Sequence, residues 1–227
     1  MIYLVWGTIL EEFPYLLEGL STTMSLTIIS LFFASVFGLV MAFLRSYNIF
    51  PLNHLVYIYE KVFRGIPLLV IFMIVWLGLP EFDINLDAFP AAIVGLILRS
   101  TAYQAQIYRS SINSIPRGQM EAAQSIGMSK FQAIKDIILP QVLRVSIPGW
   151  SNEFTIVLKD TSIAFAIGVV ELMRRGDYIY EGNTNLVLPV LITIAAIYFV
   201  VVFMINRGLG LIEKKLEIPG YEVEVER

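Results

Sequence analysis

The residues of this sequence that could do chemistry are acidic, basic and amide side chains inside apolar stretches. Glu153 and Asp160 are seven positions apart, so a continuous helix would present both carboxylates on one face. Arg99 and Gln106 have the same spacing in an earlier stretch. An ionisable group at membrane depth is costly unless it is paired or hydrated. The pattern therefore indicates either a polar pathway between helices or ion pairs that only hold the helices together, and it favours the pathway.

Other chemistries find little support in the sequence. It has no cysteine, and its single histidine, His54, cannot form a metal cluster alone. It also lacks G-x-x-x-x-G-K-[ST], the loop that cradles the phosphates of ATP. We therefore predict no catalytic residue, no metal site and no cofactor bound by this chain. The net charge of −3 gives no indication of a nucleic-acid partner.

The composition identifies lipid as the solvent. Of the 227 residues 57% are hydrophobic and only 15% are charged, and the mean hydropathy is +0.72. A soluble domain is nearer half apolar and a quarter charged. Residues 19–44 and 182–206 carry no charge at all, and each exceeds the roughly 20 residues that a spanning helix needs. Unpaired backbone groups are too costly in hydrocarbon, so these stretches should be helices.

The distribution of lysine and arginine predicts the topology. None precedes residue 19, whereas Arg45, Lys61 and Arg64 follow the first span, so the N-terminus should lie outside and the C-terminus inside. We predict one domain over residues 1–227 and a short buried or re-entrant helix near residues 161–170. The five spans are expected at about 19–44, 65–80, 89–112, 145–160 and 185–206, with a cytoplasmic segment at 113–144.

Within that cytoplasmic segment the sequence predicts two short helices joined by a glycine turn. Ala123 and Gly127 would share a face with room for another backbone, and Gly127 is the natural end of the first helix. Ser129 and Gln132 fit a capping box that begins the second helix, and Pro140 marks its expected limit. These residues alone do not distinguish a docking element from an ordinary well-capped loop.

A family resemblance favours docking. "EAAQSIG" followed by "ILP" resembles the EAA signature of permease subunits of bacterial and archaeal ABC importers. "FRGIPLL", "AYQAQIYRSSINSIPRGQMEAA" and "NEFTIVLKDTS" are similar to segments of its polar amino-acid branch. The resemblance covers nearly the whole chain and implies the type I ABC importer permease fold in a prokaryotic cell membrane.

The resemblance also implies partners. These are a dimer of ATPase subunits that bind the ATP, a second permease that is identical or homologous, an extracellular solute-binding protein and the lipid bilayer. The EAA segment would be the coupling helix that sits in a cleft of the ATPase. The residues to which the motif assigns this coupling are Gln119, Glu121, Ala122, Ala123, Gly127 and Pro140.

For the substrate, the resemblance implies contacts with Glu153 and Asp160. Asn152 and Thr161 adjoin them and are further candidates. Alternatively, Asp160 pairs with neighbouring Lys159 or caps the next helix.

Two departures from the family pattern add positive charge. Arg99 stands where members usually have asparagine, and Gln106 where they usually have glutamate. Arg99 could pair with Glu153 or another buried acid, or it could bind a substrate carboxylate with its planar fork.

The predicted function is a permease subunit that passes a polar amino acid. The alternatives are another small anionic or polar solute, or a proton-coupled transporter in which Glu153 and Asp160 relay protons. A structural membrane adapter is a further alternative, although it has no need of charged middle helices.

Overall fold

The computed structural model describes residues 2–216, with side chains from residue 6 onward. Every regular element in that part of the chain is a helix, which confirms the all-α prediction. The sequence also predicts a cytoplasmic tail with a frayed end at "EVEVER", and this end lies outside the described residues.

The first helix, α1 (Ile2–Ser46), is longer than the predicted span of 19–44. Its 45 residues rise about 67 Å, against a hydrocarbon core of about 30 Å. The predicted span starts too late in the sequence because Glu11, Glu12 and Glu18 interrupt the apolar run. Glutamate is a good helix former, however, so these charges do not end the helix.

A sharp bend divides the second predicted span. Helix α2 (Leu52–Gly65) meets α3 (Leu68–Met73) at an angle of 107°. After α3 the chain continues in a π-helical turn and then a 3-10 helix, which ends at Phe82. Pro67 causes the break, because proline disfavours the helical conformation of the residue before it, and Ile66 is indeed extended. The predicted span of 65–80 is therefore only the second arm of a bent pair.

Helices α4 (Ala88–Ser114) and α8 (Ile147–Asp160) run antiparallel as the two arms of a hairpin. Residue numbers fall along one arm as they rise along the other. The facing pairs are Ile107 with Gly149, Ser100 with Glu153, and Arg99 with Asp160. Helix α4 also packs closely along α1, because a Cβ on Gly38 would lie 2.6 Å from the Cβ of Gln104.

The closed end of this hairpin holds two short helices, α5 (Arg117–Ser125) and α6 (Lys130–Ala133). We call residues 117–133 the elbow. After α6, a π-helical turn (Ile134–Ile138) leads into α7 (Leu139–Val145), so the helix does not end at Pro140 as predicted. Pro140 lies in the first turn of α7, where the wider preceding turn accommodates a residue without an N–H.

The remaining elements complete the bundle. A 3-10 helix (Thr161–Ile167) forms the predicted short segment, and α9 (Leu172–Tyr180) and α10 (Thr184–Leu216) follow. One apolar cluster joins α1, α3, α4 and α8, and a second joins α1, α9 and α10. A third joins α1 and α4 to α7, just beyond the elbow.

By length and composition, two described helices could each cross a membrane, α1 and α10, and the bent pair could supply a third crossing. The charged middle helices fall short of that criterion, so the count of five spans and their orientation stay predictions.

Candidate substrate site and docking elbow

Arg99 and Asp160 form an ion pair between α4 and the end of α8. Nη1 of Arg99 donates to Oδ2 of Asp160, and the side chains are 20% and 21% exposed. Among the described residues Asp160 forms no ion pair with Lys159, whose charge acts on it only at longer range, and no side-chain cap forms at the next helix. Arg99 is therefore paired with a partly buried acid, as the first of its two predicted roles describes, and contact of Arg99 with the substrate stays a prediction.

Glu153 lies two turns earlier on α8 and is only 2% exposed. Its Oε1 accepts a hydrogen bond of 2.8 Å from the hydroxyl of Ser100 on α4. Among residues 6–216, no ion pair includes Glu153. It is therefore a buried carboxylate that has a polar neighbour but no directly bound cation.

Tyr103 links this carboxylate region to the bend between α2 and α3. The guanidinium carbons of Arg64 and Arg99 each lie 5.0 Å from the centroid of its ring. Arg64 is in the last turn of α2 and is exposed. We call Arg64, Arg99, Tyr103, Glu153 and Asp160 the charged cluster.

The other predicted substrate residues lie apart from the cluster or are already bonded. Thr161 is buried and donates to the carbonyl of Leu158 at 2.7 Å. Asn152 is exposed and lines a polar cleft of about 270 Å³ between α8 and α10. Gln106 lies two turns along α4 from Arg99, where its amide donates to Glu60 at 3.3 Å.

Glu60 is a buried acid that the sequence analysis missed. It is 1% exposed, and its Oε2 also accepts from Nη1 of Arg45, at the end of α1. Helix α2 is amphipathic, and the spacing of Val56 and Glu60 places both on its buried face. That spacing was a usable signal, but a partner from another helix could not be inferred from it.

The elbow forms as its local sequence predicts. Helix α5 ends in a Schellman motif, in which the N–H of Gly127 donates to Gln124 at 3.0 Å and that of Met128 donates to Ala123 at 3.2 Å. Gly127 has φ +87°, a left-handed conformation that favours glycine. Ser129 and Gln132 form both bonds of the predicted capping box.

The predicted docking residues of the elbow differ in exposure. Gln119, Glu121 and Ala122 are exposed, whereas Ala123 is 5% exposed and faces the interior of the protein. Ala123 and Gly127 therefore do not share an outward face. The positive φ of Gly127 takes it off the helical path, and a Cβ added there would meet nothing within 4 Å.

Two large apolar side chains stand out from the elbow. Ile126 is 80% exposed and Phe131 is 73% exposed, whereas the other exposed residues of the elbow are polar or small. Beside them, Nζ of Lys130 lies 4.8 Å from the ring centroid of Tyr47, which follows α1. The Tyr47 phenol is neutral at physiological pH, and burial raises its pKa further, so the lysine contacts a neutral ring in a cation–π interaction. The elbow is thereby tied to α1 while its apolar tip remains uncovered.

Long apolar helices, an ion pair between α4 and α8 and an exposed elbow are features expected of the membrane-embedded part of a transport system. The chain belongs to the family described as binding-protein-dependent transport system inner membrane component, whose family model matches residues 34–218. It is a multi-pass membrane protein and a transport subunit, not an enzyme, because the ATPase of such systems is a separate subunit.

Curated relatives match over almost the whole chain. The probable amino-acid permease protein YxeN of Bacillus subtilis is 36% identical over 217 residues, covering 94% of this chain and 96% of the relative. The L-cystine transport system permease protein TcyB of the same species is 38% identical, with 93% and 91% covered. The glutamine transport system permease protein GlnP of Escherichia coli is 33% identical, with 94% and 98% covered.

Solved structures support the fold. A crystal structure of an amino acid ABC transporter with histidines matches with a TM-score of 0.83 and 34% identity, covering 91% of this chain and 96% of that one. The MetNI methionine ABC transporter, in an inward-facing conformation, matches with a TM-score of 0.77 and 20% identity, covering 89% and 96%. The second likeness is one of fold alone. The predicted type I ABC importer permease architecture thus has close structural neighbours.

Proposed function

We propose that this chain is the permease subunit of an ATP-driven importer for a polar amino acid. The observation that carries the proposal is that amino-acid permeases 36–38% identical to this chain match more than nine-tenths of it. The proposal includes five spans with the N-terminus outside. The elbow would then face the cytoplasm, where ATP is available.

In this proposal the elbow docks on the ATPase dimer. Its support is the combination of an open left-handed glycine and the uncovered Ile126 and Phe131. Exposed apolar side chains beside a rigid turn are typical of a protein interface. A second permease, identical or homologous, and an extracellular solute-binding protein complete the proposed assembly.

The charged cluster is the proposed substrate site. Glu153 supports this assignment, because a buried carboxylate without a bound cation suits the ammonium group of an amino acid. No specific observation favours a proton-coupled transporter, since the Arg99 pairing leaves Asp160 poorly suited to a two-carboxylate relay.

Reconstitution tests the proposal. The chain is placed in liposomes with the ATPase and the solute-binding protein encoded beside it, and uptake of labelled amino acids is measured. We expect uptake that requires ATP and continues when the proton gradient is collapsed. Uptake driven by a proton gradient without ATP would overturn the proposal.

A further inference from the structure

The charges around Tyr103 do not all remain available to a ligand. Arg99 and Asp160 neutralise each other through their ion pair. Two charges of opposite sign remain. Glu153 is buried and bonded only to the hydroxyl of Ser100, and no carboxylate of the described residues lies within ion-pair distance of Arg64.

The two remaining charges, negative on Glu153 and positive on Arg64, match the charge pattern of a zwitterion. The guanidinium carbons of Arg64 and Arg99 lie at most about 10 Å apart, because each is 5.0 Å from the same ring centroid. Arg99 in turn belongs to the hairpin that carries Glu153. An exposed arginine fork can take a carboxylate with two parallel hydrogen bonds, and a buried carboxylate can take an ammonium group.

We propose that the site takes an α-amino acid with an uncharged side chain, with its ammonium group on Glu153 and its carboxylate on Arg64. This inference rests on the proposed function and adds the class of substrate. Arg99 is then a specificity-determining residue, because it removes the negative charge of Asp160 from the site. A cationic side chain finds no second free acid, and an anionic side chain finds no second free base.

Lys159 also acts on the charge of Asp160, but less strongly than Arg99 does. It neighbours Asp160 in sequence but is exposed on a different side of α8. Its charge is therefore hydrated, whereas the charges of Arg99 and Asp160 lie largely inside the protein.

The test measures binding to the purified permease–ATPase complex in nanodiscs, without the solute-binding protein, so that only the permease selects. The probes are glutamine, arginine and glutamate. For the wild-type chain we expect glutamine to bind at least about tenfold more tightly than either charged probe. Arg99→Asn frees Asp160, so arginine should gain at least about tenfold in affinity. The double variant Arg99→Asn/Asp160→Asn should restore the preference for glutamine.

Arg174→Asn is the matched control. It breaks a similar arginine–aspartate pair, with Asp177, away from the cluster, and it should leave the preference unchanged. A wild-type preference for arginine or glutamate would overturn the inference. So would an Arg99→Asn variant that binds normally with an unchanged preference. If Arg99→Asn does not assemble, the wild-type preference and the double variant decide the question.

This outcome can be separated from failure of the proposed function. If the chain is not an amino-acid permease, the wild-type complex binds none of the three probes and shows no ATP-driven amino-acid uptake. If only the inference fails, uptake and binding persist with a different charge preference.

Discussion

Replacing Gly127 with leucine separates strain inside the chain from obstruction of a partner. The glycine has φ +87°, and a leucine held there costs about 1–2 kcal/mol in backbone strain. An added Cβ brings no steric cost, because at this position it meets no atom within 4 Å. We therefore expect any larger effect to come from outside the chain. If the elbow sits in a cleft of the ATPase, an extra isobutyl group there should cost about 1–3 kcal/mol more.

Gly182→Leu provides a strain-matched control. Gly182 has φ +79°, and it too has nothing within 4 Å of an added Cβ, but it lies between α9 and α10. Both variants should therefore lose similar thermal stability. Only Gly127→Leu should weaken copurification with the ATPase, by roughly 5- to 150-fold in affinity, and abolish ATP-driven uptake.

The assay compares thermal unfolding of the isolated permease with retention of the ATPase on the immobilised permease. Normal ATPase retention and uptake by Gly127→Leu would refute docking through the elbow. Equal loss of ATPase binding by both variants would also refute it, because strain alone would then explain the effect.

Three further predictions concern the elbow, the buried acid and the hairpin. Phe131→Ser should change the free energy of unfolding by no more than about 0.5 kcal/mol, since the ring is 73% exposed. The same substitution should weaken retention of the ATPase. Unchanged retention would argue against contact between Phe131 and the ATPase. Arg45→Ala should lower the free energy of unfolding of the permease in detergent by about 3–5 kcal/mol, because Glu60 is left buried without its cation. Adding Glu60→Gln should recover part of the loss. An unchanged free energy of unfolding for Arg45→Ala would contradict the ion pair. Cysteines at positions 107 and 149 should form a disulfide, because the Cβ of Ile107 lies 3.7 Å from a Cβ on Gly149. ATP-driven uptake should survive this bridge if the hairpin moves as one body. Inhibition of uptake that a reductant reverses would contradict movement of the hairpin as one body.

Features set by neighbouring residues could be predicted from the sequence. The turn at Gly127 and the capping box of Ser129 depend on chain chemistry within a few positions, and both formed as expected. Pro140 was misjudged because a preceding π-helical turn let the helix continue. The start of α1 was misplaced because hydropathy locates the apolar run, whereas the helix continues through the charged turns before it.

Features that depend on tertiary contacts could not be predicted in the same way. Arg45 and Glu60 lie on different helices, and only the packing of α2 against α1 makes them partners. Asp160 had plausible local partners in the sequence, yet it bonds to a residue 61 positions away. Ion pairs of this kind depend on the register between helices, which a hydropathy pattern does not fix.

The register of the hairpin joins the two candidate sites in one unit. The elbow closes one end of the hairpin, and Arg99 and Asp160 meet toward the other, about 22 Å along α4 from its last residue. Glu153 belongs to the same hairpin, whereas Arg64 belongs to α2. A displacement of the elbow that carried the hairpin as one body would preserve the pair of Arg99 with Asp160, and any movement of the hairpin relative to α2 would change the separation of Glu153 and Arg64. The ion pair would then set which substrate fits, while the relation between α2 and the hairpin would set when the substrate is held.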